Sequence, residues 1–272
     1  MIQRSPNGPR ATTVFGLDRL RLRRATGAAT WQRDRLTADW PAAVYAVGDV
    51  HGSLRELLEL ESRIEADAAG VAGSKLIVML GDYVDRGPAS AGVIDHLMAA
   101  PPAGFERICL TGNHEAMLLD FLAAPRMDSP WLRYGGRECL RSYGIELAEL
   151  ERRRGAAVQQ YLQACLPTDH LQWLTQLPVS LQIGSTLFVH AGIRPGTPLS
   201  EQQEEDLIWI REPFLSAEHL GDVRVVHGHT PGEQPVITPQ RICLDTAAYA
   251  TGRLTAARIT PDGCRIISSK GA

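Results

Sequence analysis

The chain has 272 residues, 44% hydrophobic and 22% charged, with 28 Lys+Arg against 31 Asp+Glu and a formal net charge of -3. That balance excludes disordered and fibrous classes, and the length supplies ample core without disulfide or metal staples. No run approaches the eighteen or so uncharged apolar residues a bilayer span needs, and no apolar h-region follows the start, so a cytoplasmic protein without a membrane partner is expected.

Residues 1–40 carry eight arginines against three aspartates and lack sustained periodicity. They read as a basic N-terminal arm, a tail or a strap on the body, whose deletion should leave turnover nearly unchanged. The remainder, 41–272, is then net acidic, and composition excludes a basic nucleic-acid binder. All but two basic residues are arginine, the lysines being Lys75 and Lys270; that ratio reflects codon composition more than function. Five cysteines, Cys109, Cys139, Cys165, Cys243 and Cys264, are odd in number and lack any CxxC. Buried free thiols are expected, not a disulfide frame or a zinc ribbon.

From residue 41 short apolar runs each end in a polar, glycine-containing cluster followed by a helical pattern. The run at residues 44–47 leads into Gly48-Asp49-Val50-His51-Gly52. Ser53 with Glu56 three residues on reads as a capping box opening a helix to about Ala69. The run at 76–80 leads into Gly81-Asp82-Tyr83-Val84-Asp85-Arg86-Gly87-Pro88, and a helix follows through Val93, Ile94 and Leu97. The run at 107–110 leads into Thr111-Gly112-Asn113-His114-Glu115, with a helix through Met117, Leu118 and Phe121. Three such units imply right-handed crossovers and a parallel core of sheet, with ligands at the carboxyl ends of the strands. Residues 126–177 read as an inserted helical lobe. Short strands return at about 179–183, 186–190, 223–227, 241–245 and 254–259, the first two joined by a Gly184-Ser185 hairpin turn. The expectation is one α/β catalytic domain with a helical insertion.

Two further clusters, His190-Ala191-Gly192 and His227-Gly228-His229-Thr230-Pro231, lie at strand ends. Asp49, His51, Asp82, Asn113, His190 and His229 then form an oxygen/nitrogen ligand set without a thiolate, suited to Mn, Fe or Zn and too large for one tetrahedral ion. They fit a two-metal site with a bridging carboxylate, which makes hydroxide available for in-line displacement at phosphorus. Arg86 and Arg211 can hold phosphate oxygens, and His114 beside Asp85 can protonate a leaving oxygen. His227 is read as structural, Arg194 equally as substrate contact or solvated loop, and Trp209 as core that fixes Arg211. His96, His170 and His219 read as isolated surface or cap residues.

The ordered blocks GDVHG, GDYVDRG, GNHE, HAG and HGHTP resemble the phosphoprotein phosphatase family of serine/threonine phosphatases, within the calcineurin-like metallophosphoesterases. The resemblance implies an α/β sandwich of two mixed β-sheets flanked by helices, with the metals between them. By motif position it implies that Asp49 and His51 hold one metal, Asp82 bridges, and Asn113, His190 and His229 hold the other. It further implies His114 as proton donor, Asp85 as its orienting carboxylate, and Arg86 and Arg211 as phosphate-binding arginines. Leu244-Asp245-Thr246-Ala247-Ala248-Tyr249 stands where eukaryotic members have Ser-Ala-Pro-Asn-Tyr. With Trp131, Gly135-Gly136 and Ser142-Tyr143-Gly144, that places the chain in a bacterial/phage branch, although Tyr134 stands where relatives often have Asn. Bacterial diadenosine tetraphosphate hydrolases share the blocks but typically lack a carboxylate at the Asp85 position and read GNHD; Asp85 and Glu115 favour the protein-phosphatase branch. The function implied is a phosphomonoesterase carrying two divalent ions, Mn before Fe or Zn, acting on phosphoserine or phosphothreonine, and on phosphotyrosine if dual-specific, in proteins or peptides. A nucleotide phosphohydrolase is the alternative. An inactive metal-binding scaffold is a third reading, against which the intact His114, Asp85 and Arg86 argue. The oligomeric state is not legible.

Overall fold

The computed structural model describes residues 33–261 and 263–270, together with the backbone of 23–24. Ala43–Val47, Lys75–Met79 and Phe105–Cys109 pair in parallel, as the three strand–loop–helix units require. They belong to a five-stranded sheet completed by an antiparallel hairpin, Thr255–Thr260 with Gly263–Ser268, which docks beside Ala43–Val47. A seven-stranded sheet runs in the order Arg23–Arg24, Arg35–Ala38, Ser180–Ile183, Thr186–Val189, Arg224–His227, Arg241–Cys243, Val236–Ile237.

Strands buried on both faces read as continuous apolar runs, and here the alternate residues serve two different layers. Val44, Ala46, Leu76 and Val78 face the seven-stranded sheet and pack with Leu181, Phe188, Val226 and Ile242. Tyr45, Val47, Ile77 and Met79 face the helices and pack with Leu57, Leu60, Ile64, Val93 and Ile94. The far face of the larger sheet is covered by Leu207, Ile208 and Phe214. Both sheets thus lie between layers, and their carboxyl strand ends open onto one crevice. The inserted lobe is helical, with Pro130–Arg133, Gly136–Ser142, Leu147–Glu151, Ala156–Cys165 and Thr168–Gln176.

Two local expectations differ from the structure. The Ser53 hydroxyl donates to the His51 carbonyl instead of capping the helix Leu54–Ala68, and Glu56 is taken by Arg55. A one-sided cap occurs instead at the third site loop, where the Glu115 carboxylate accepts the Gly112 N–H. The second concerns the arm. Most of residues 1–32 lies outside the described residues, but the arm assigned to 1–40 contains Arg35–Ala38, a strand paired in parallel with Ser180–Ile183. Arg33 donates to the Leu174 and Leu177 carbonyls and pairs with Glu204 at 3.1 Å. Arg35 donates to the Leu199 and Gln202 carbonyls. The body therefore begins before residue 41. Deleting 1–40 removes that strand, these bonds and the packing of Leu36 and Trp40, at a cost of roughly 2–4 kcal/mol. The expected result is a melting temperature lower by roughly 5–15 °C; an unchanged melt would show that the strand adds nothing to the body.

Candidate active site

Each expected ligand follows the carboxyl end of a strand, on a loop or, for Asn113, at the first residue of the next helix: Asp49 and His51 after Ala43–Val47, Asp82 after Lys75–Met79, Asn113 after Phe105–Cys109, His190 after Thr186–Val189, and His229 after Arg224–His227. All six are buried. The backbone is bent into left-handed conformations to bring them together. Among the described residues, the non-glycine positions with positive φ are His51, Asp82, Asp85, Arg86, His229 and Ala247. Such conformations cost on the order of 1 kcal/mol or more each and persist where surrounding structure enforces them. Glycine supplies the remaining room. A Cβ on Gly228 would lie 1.9 Å from Asp49 Oδ1, and one on Gly112 would lie 2.2 Å from Asp82 Oδ1.

The ring nitrogens show how the set fits metal. His51 Nδ1 lies 2.8 Å from the Val84 carbonyl, and His190 Nδ1 lies 3.0 Å from the Leu80 carbonyl. Each therefore donates its proton there and presents Nε2 as a lone pair. That lone pair of His51 faces Asp82 Oδ2 at 3.5 Å; that of His190 faces Asp82 Oδ1 at 3.4 Å and Asn113 Oδ1 at 2.8 Å. His229 Nδ1 lies 2.9 Å from the same Asn113 oxygen. Acceptors turned on acceptors are unfavourable unless a cation lies among them. Burial holds the His190 imidazole down to about 3 and also lowers His51 and His229 strongly, so all three are neutral, the form that binds metal. Burial first, then Asp245 and Asp82, raises the Asp49 carboxyl well above its usual range. The ligand atoms form two groups that share Asp82: His51, Asp82 and His114, and Asp82, His190 and His229. Asp49 accepts the backbone N–H of His229 at 3.0 Å, and the Asn113 side-chain oxygen lies 2.9 Å from His229 Nδ1 in the second group.

His114 Nδ1 is 2.6 Å from Asp85 Oδ2. Burial lowers the His114 pKa; Asp82 opposes the shift, and Arg86 adds to it. Arg86 Nη2 lies 3.3 Å from His114 Nε2, and its Nη1 donates to the Tyr249 hydroxyl at 2.5 Å. Across the crevice Arg211 donates to the His229 carbonyl at 3.2 Å. The crevice between them has a volume of about 190 Å³ and is also lined by Met117, Tyr134, Trp209 and Asp245. Trp209 is half-exposed at this mouth, not core.

Glu115 does more than mark a motif. Its carboxylate accepts the backbone N–H groups of Asp82, Tyr83, Val84 and Gly112, which pins the Asp82 loop to the start of the helix Asn113–Ala123. Burial, then Asp82, pushes its carboxyl up to about 8, against the pull of those donors. Sequence reading also passed over Asp245 and Tyr249. Asp245, like Asp49, lies two residues beyond the end of its strand, and that signal could have found it. Tyr249 had no such signal.

Other candidates fall away. His227 donates to its neighbour's carbonyl, Gly228 O, and stays outside the ligand groups. Arg194 pairs with Asp206 at 2.6 Å on the surface. His96 binds Glu61, while His170 is buried between Tyr143 and Asp95 rather than exposed. All five cysteines are free.

The sequence profile of the calcineurin-like phosphoesterases matches residues 42–259, and the chain belongs to that family. It is therefore a hydrolase whose family uses a dinuclear divalent-metal site. Serine/threonine-protein phosphatase 1 of Salmonella typhimurium is 28% identical over 79% of this chain and 91% of its own length. The asymmetrical bis(5'-nucleosyl)-tetraphosphatase PrpE of Anoxybacillus flavithermus is 26% identical over 78% of this chain and 88% of its own. A symmetrical bis(5'-nucleosyl)-tetraphosphatase of Aromatoleum aromaticum is 30% identical, but the match spans 57% of this chain and 45% of that protein. Among solved structures, a putative diadenosine tetraphosphatase superposes with a TM-score of 0.61 at 26% identity, over 86% of this chain and 96% of that one. No helix among the described residues is long and apolar enough to cross a membrane.

Proposed function

We propose that the chain is a serine/threonine protein phosphatase of the two-metal type, with Mn as the expected ion and a phosphorylated protein or peptide as substrate. Asp49, His51 and Asp82 would hold one ion, and Asp82, Asn113, His190 and His229 the other. Bound ions there would supply Lewis acidity toward phosphoryl oxygens and lower the pKa of water. Arg86 and Arg211 close on the phosphate from opposite sides, and His114, oriented by Asp85, protonates the leaving oxygen. When Arg86 turns from the His114 ring to the phosphate dianion, one cause of the lowered imidazole pKa is removed.

The observation that carries the reading is the 2.6 Å His114–Asp85 pair beside the crevice. A basic serine alkoxide needs an acid, whereas a nucleotide or polyphosphate leaving group departs with far less assistance. The crevice, about 190 Å³, is large enough for one phosphoryl group between the two arginines. A nucleotide-hydrolase reading has its own support in the exposed Tyr134 and Trp209 rings at the mouth, on which a base could stack, and in the relatives named as tetraphosphatases. The two are separated by kcat/KM with Mn²⁺ on a phosphoserine peptide, p-nitrophenyl phosphate and diadenosine tetraphosphate. The peptide is expected to lead the dinucleotide by about tenfold or more, about 1.4 kcal/mol of transition-state binding. The reverse order transfers the assignment to the nucleotide hydrolases.

A further inference from the structure

Asp85 is buried completely and its carboxylate carries the proposed acid His114, yet its supports come from outside the motif loops. The indole Nε1–H of Trp131 donates to Asp85 Oδ2 at 2.7 Å, the same oxygen that lies 2.6 Å from His114 Nδ1. Trp131 stands in the first turn of the inserted lobe, Pro130–Arg133. Its ring is held on two sides: the Phe121 ring centroid is 4.7 Å away, and a Cβ on Gly136 would lie 2.5 Å from the indole. The neighbouring Gly135 carbonyl accepts the Arg86 N–H at 3.3 Å. One turn of the insertion thus braces both members of the Asp85-Arg86 pair.

We propose that Trp131 is a positioning residue for leaving-group protonation: its N–H fixes the Asp85 carboxylate so that the oxygen, and through it the His114 ring, keeps the orientation that aims Nε2 into the crevice. As the bond from phosphorus to the leaving oxygen breaks, its electron pair stays on that oxygen, which takes the Nε2 proton and leaves a neutral imidazole. Removing the N–H frees the carboxylate to rotate and loosens the ring. The effect is confined to substrates that need the proton. A hydrogen bond in a dry site is stronger than one in water, and a ring mispositioned by a fraction of an ångström transfers a proton poorly.

The inference rests on the reading of His114 as the acid, and the test keeps the two apart. Trp131→Phe keeps an aromatic ring against Phe121 and deletes only the donor. In the full Mn²⁺-loaded chain it should lower kcat on a phosphoserine peptide by about 5- to 30-fold, with KM nearly unchanged and less than about a twofold loss on p-nitrophenyl phosphate. His114→Asn, measured alongside, should show the same selectivity with a larger loss. If His114→Asn loses equally on both substrates, the acid reading falls, and the role of Trp131 with it. If His114→Asn is selective while Trp131→Phe is unaffected, or loses equally on both, the Trp131 proposal alone is wrong. A measurement without catalysis covers a misfolded variant. In the metal-free chain the Trp131 indole proton should resonate downfield and exchange slowly, and Asp85→Asn should move it upfield. A free-indole shift with fast exchange overturns the proposal.

Discussion

Asp82→Asn is expected to lower kcat on p-nitrophenyl phosphate by on the order of 10³-fold or more, about 4 kcal/mol of barrier. The two Asp82 oxygens face opposite ligand groups, Oδ2 toward His51 and Oδ1 toward His190. No other side chain among the described residues belongs to both groups. An amide removes the charge and replaces one acceptor oxygen with a donor, so metal content should fall from about two ions per chain, and activity should fall further than for loss of a ligand to either ion alone. Stability should move the other way. Burial raises the Asp82 carboxyl above its usual range, and Asp49 is raised too, partly by Asp82. A carboxyl whose folded-state pKa is raised destabilises the metal-free fold increasingly as pH rises from its ordinary value through the raised one. Metal-free Asp82→Asn should therefore melt higher than metal-free wild type at neutral pH, while gaining less from Mn²⁺. Undiminished Mn²⁺-dependent turnover would refute the bridging assignment.

His114→Asn tests a distinction that the structure itself sharpens. The ring lies 3.9 Å from Asp82 Oδ2 and falls within the first ligand group, so it is close enough to be a ligand. Its Nδ1, however, is committed to Asp85 at 2.6 Å, and its Nε2 faces Arg86, a cation that a metal ligand would not keep beside it. As an acid it matters only where the leaving oxygen is basic. The substitution should retain both ions and lower kcat on a phosphoserine peptide by on the order of 10²–10⁴-fold, with a far smaller loss on p-nitrophenyl phosphate, whose phenolate departs unprotonated. Asp85→Asn should show the same pattern more mildly. Loss of an ion, or equal losses on both substrates, would reassign His114 as ligand or phosphate clamp.

The ligand loops were legible because their chemistry is local: a short apolar strand, a glycine that admits a carboxylate, then the ligand itself. Gly112 and Gly228 are spelled by close approach to Asp82 and Asp49, and such requirements leave fixed residue types at fixed offsets. The parallel core followed from the same strand–loop–helix spacing. What escaped was set by partners distant in the chain. The strand Arg35–Ala38 exists because Ser180–Ile183 offers it an edge, and four residues among arginines carry no periodicity of their own. The last strand, Gly263–Ser268, is half-exposed and likewise defined by its neighbour. Ser53 and Glu56 had the spacing of a cap but not its geometry, because the preceding His51 takes a left-handed turn and offers its carbonyl to the hydroxyl. The lowered His114 pKa comes first from burial, which cannot be read from adjacency in the sequence.

The closing hairpin has a consequence for how the protein is made. Val44 to Val47 emerge early in synthesis, yet their partners on one side are Ala256 to Ile259. At roughly 5–20 residues per second the ribosome leaves that strand edge open for about ten seconds or more. Asp49, His51, Asp82 and Asn113 have all been translated in that interval, ahead of His190 and His229. A nascent chain thus passes through a stage with the first ion's ligands and half of the second's displayed beside an unpaired apolar edge, where early capture of a divalent ion or shielding by a chaperone would favour productive folding over aggregation.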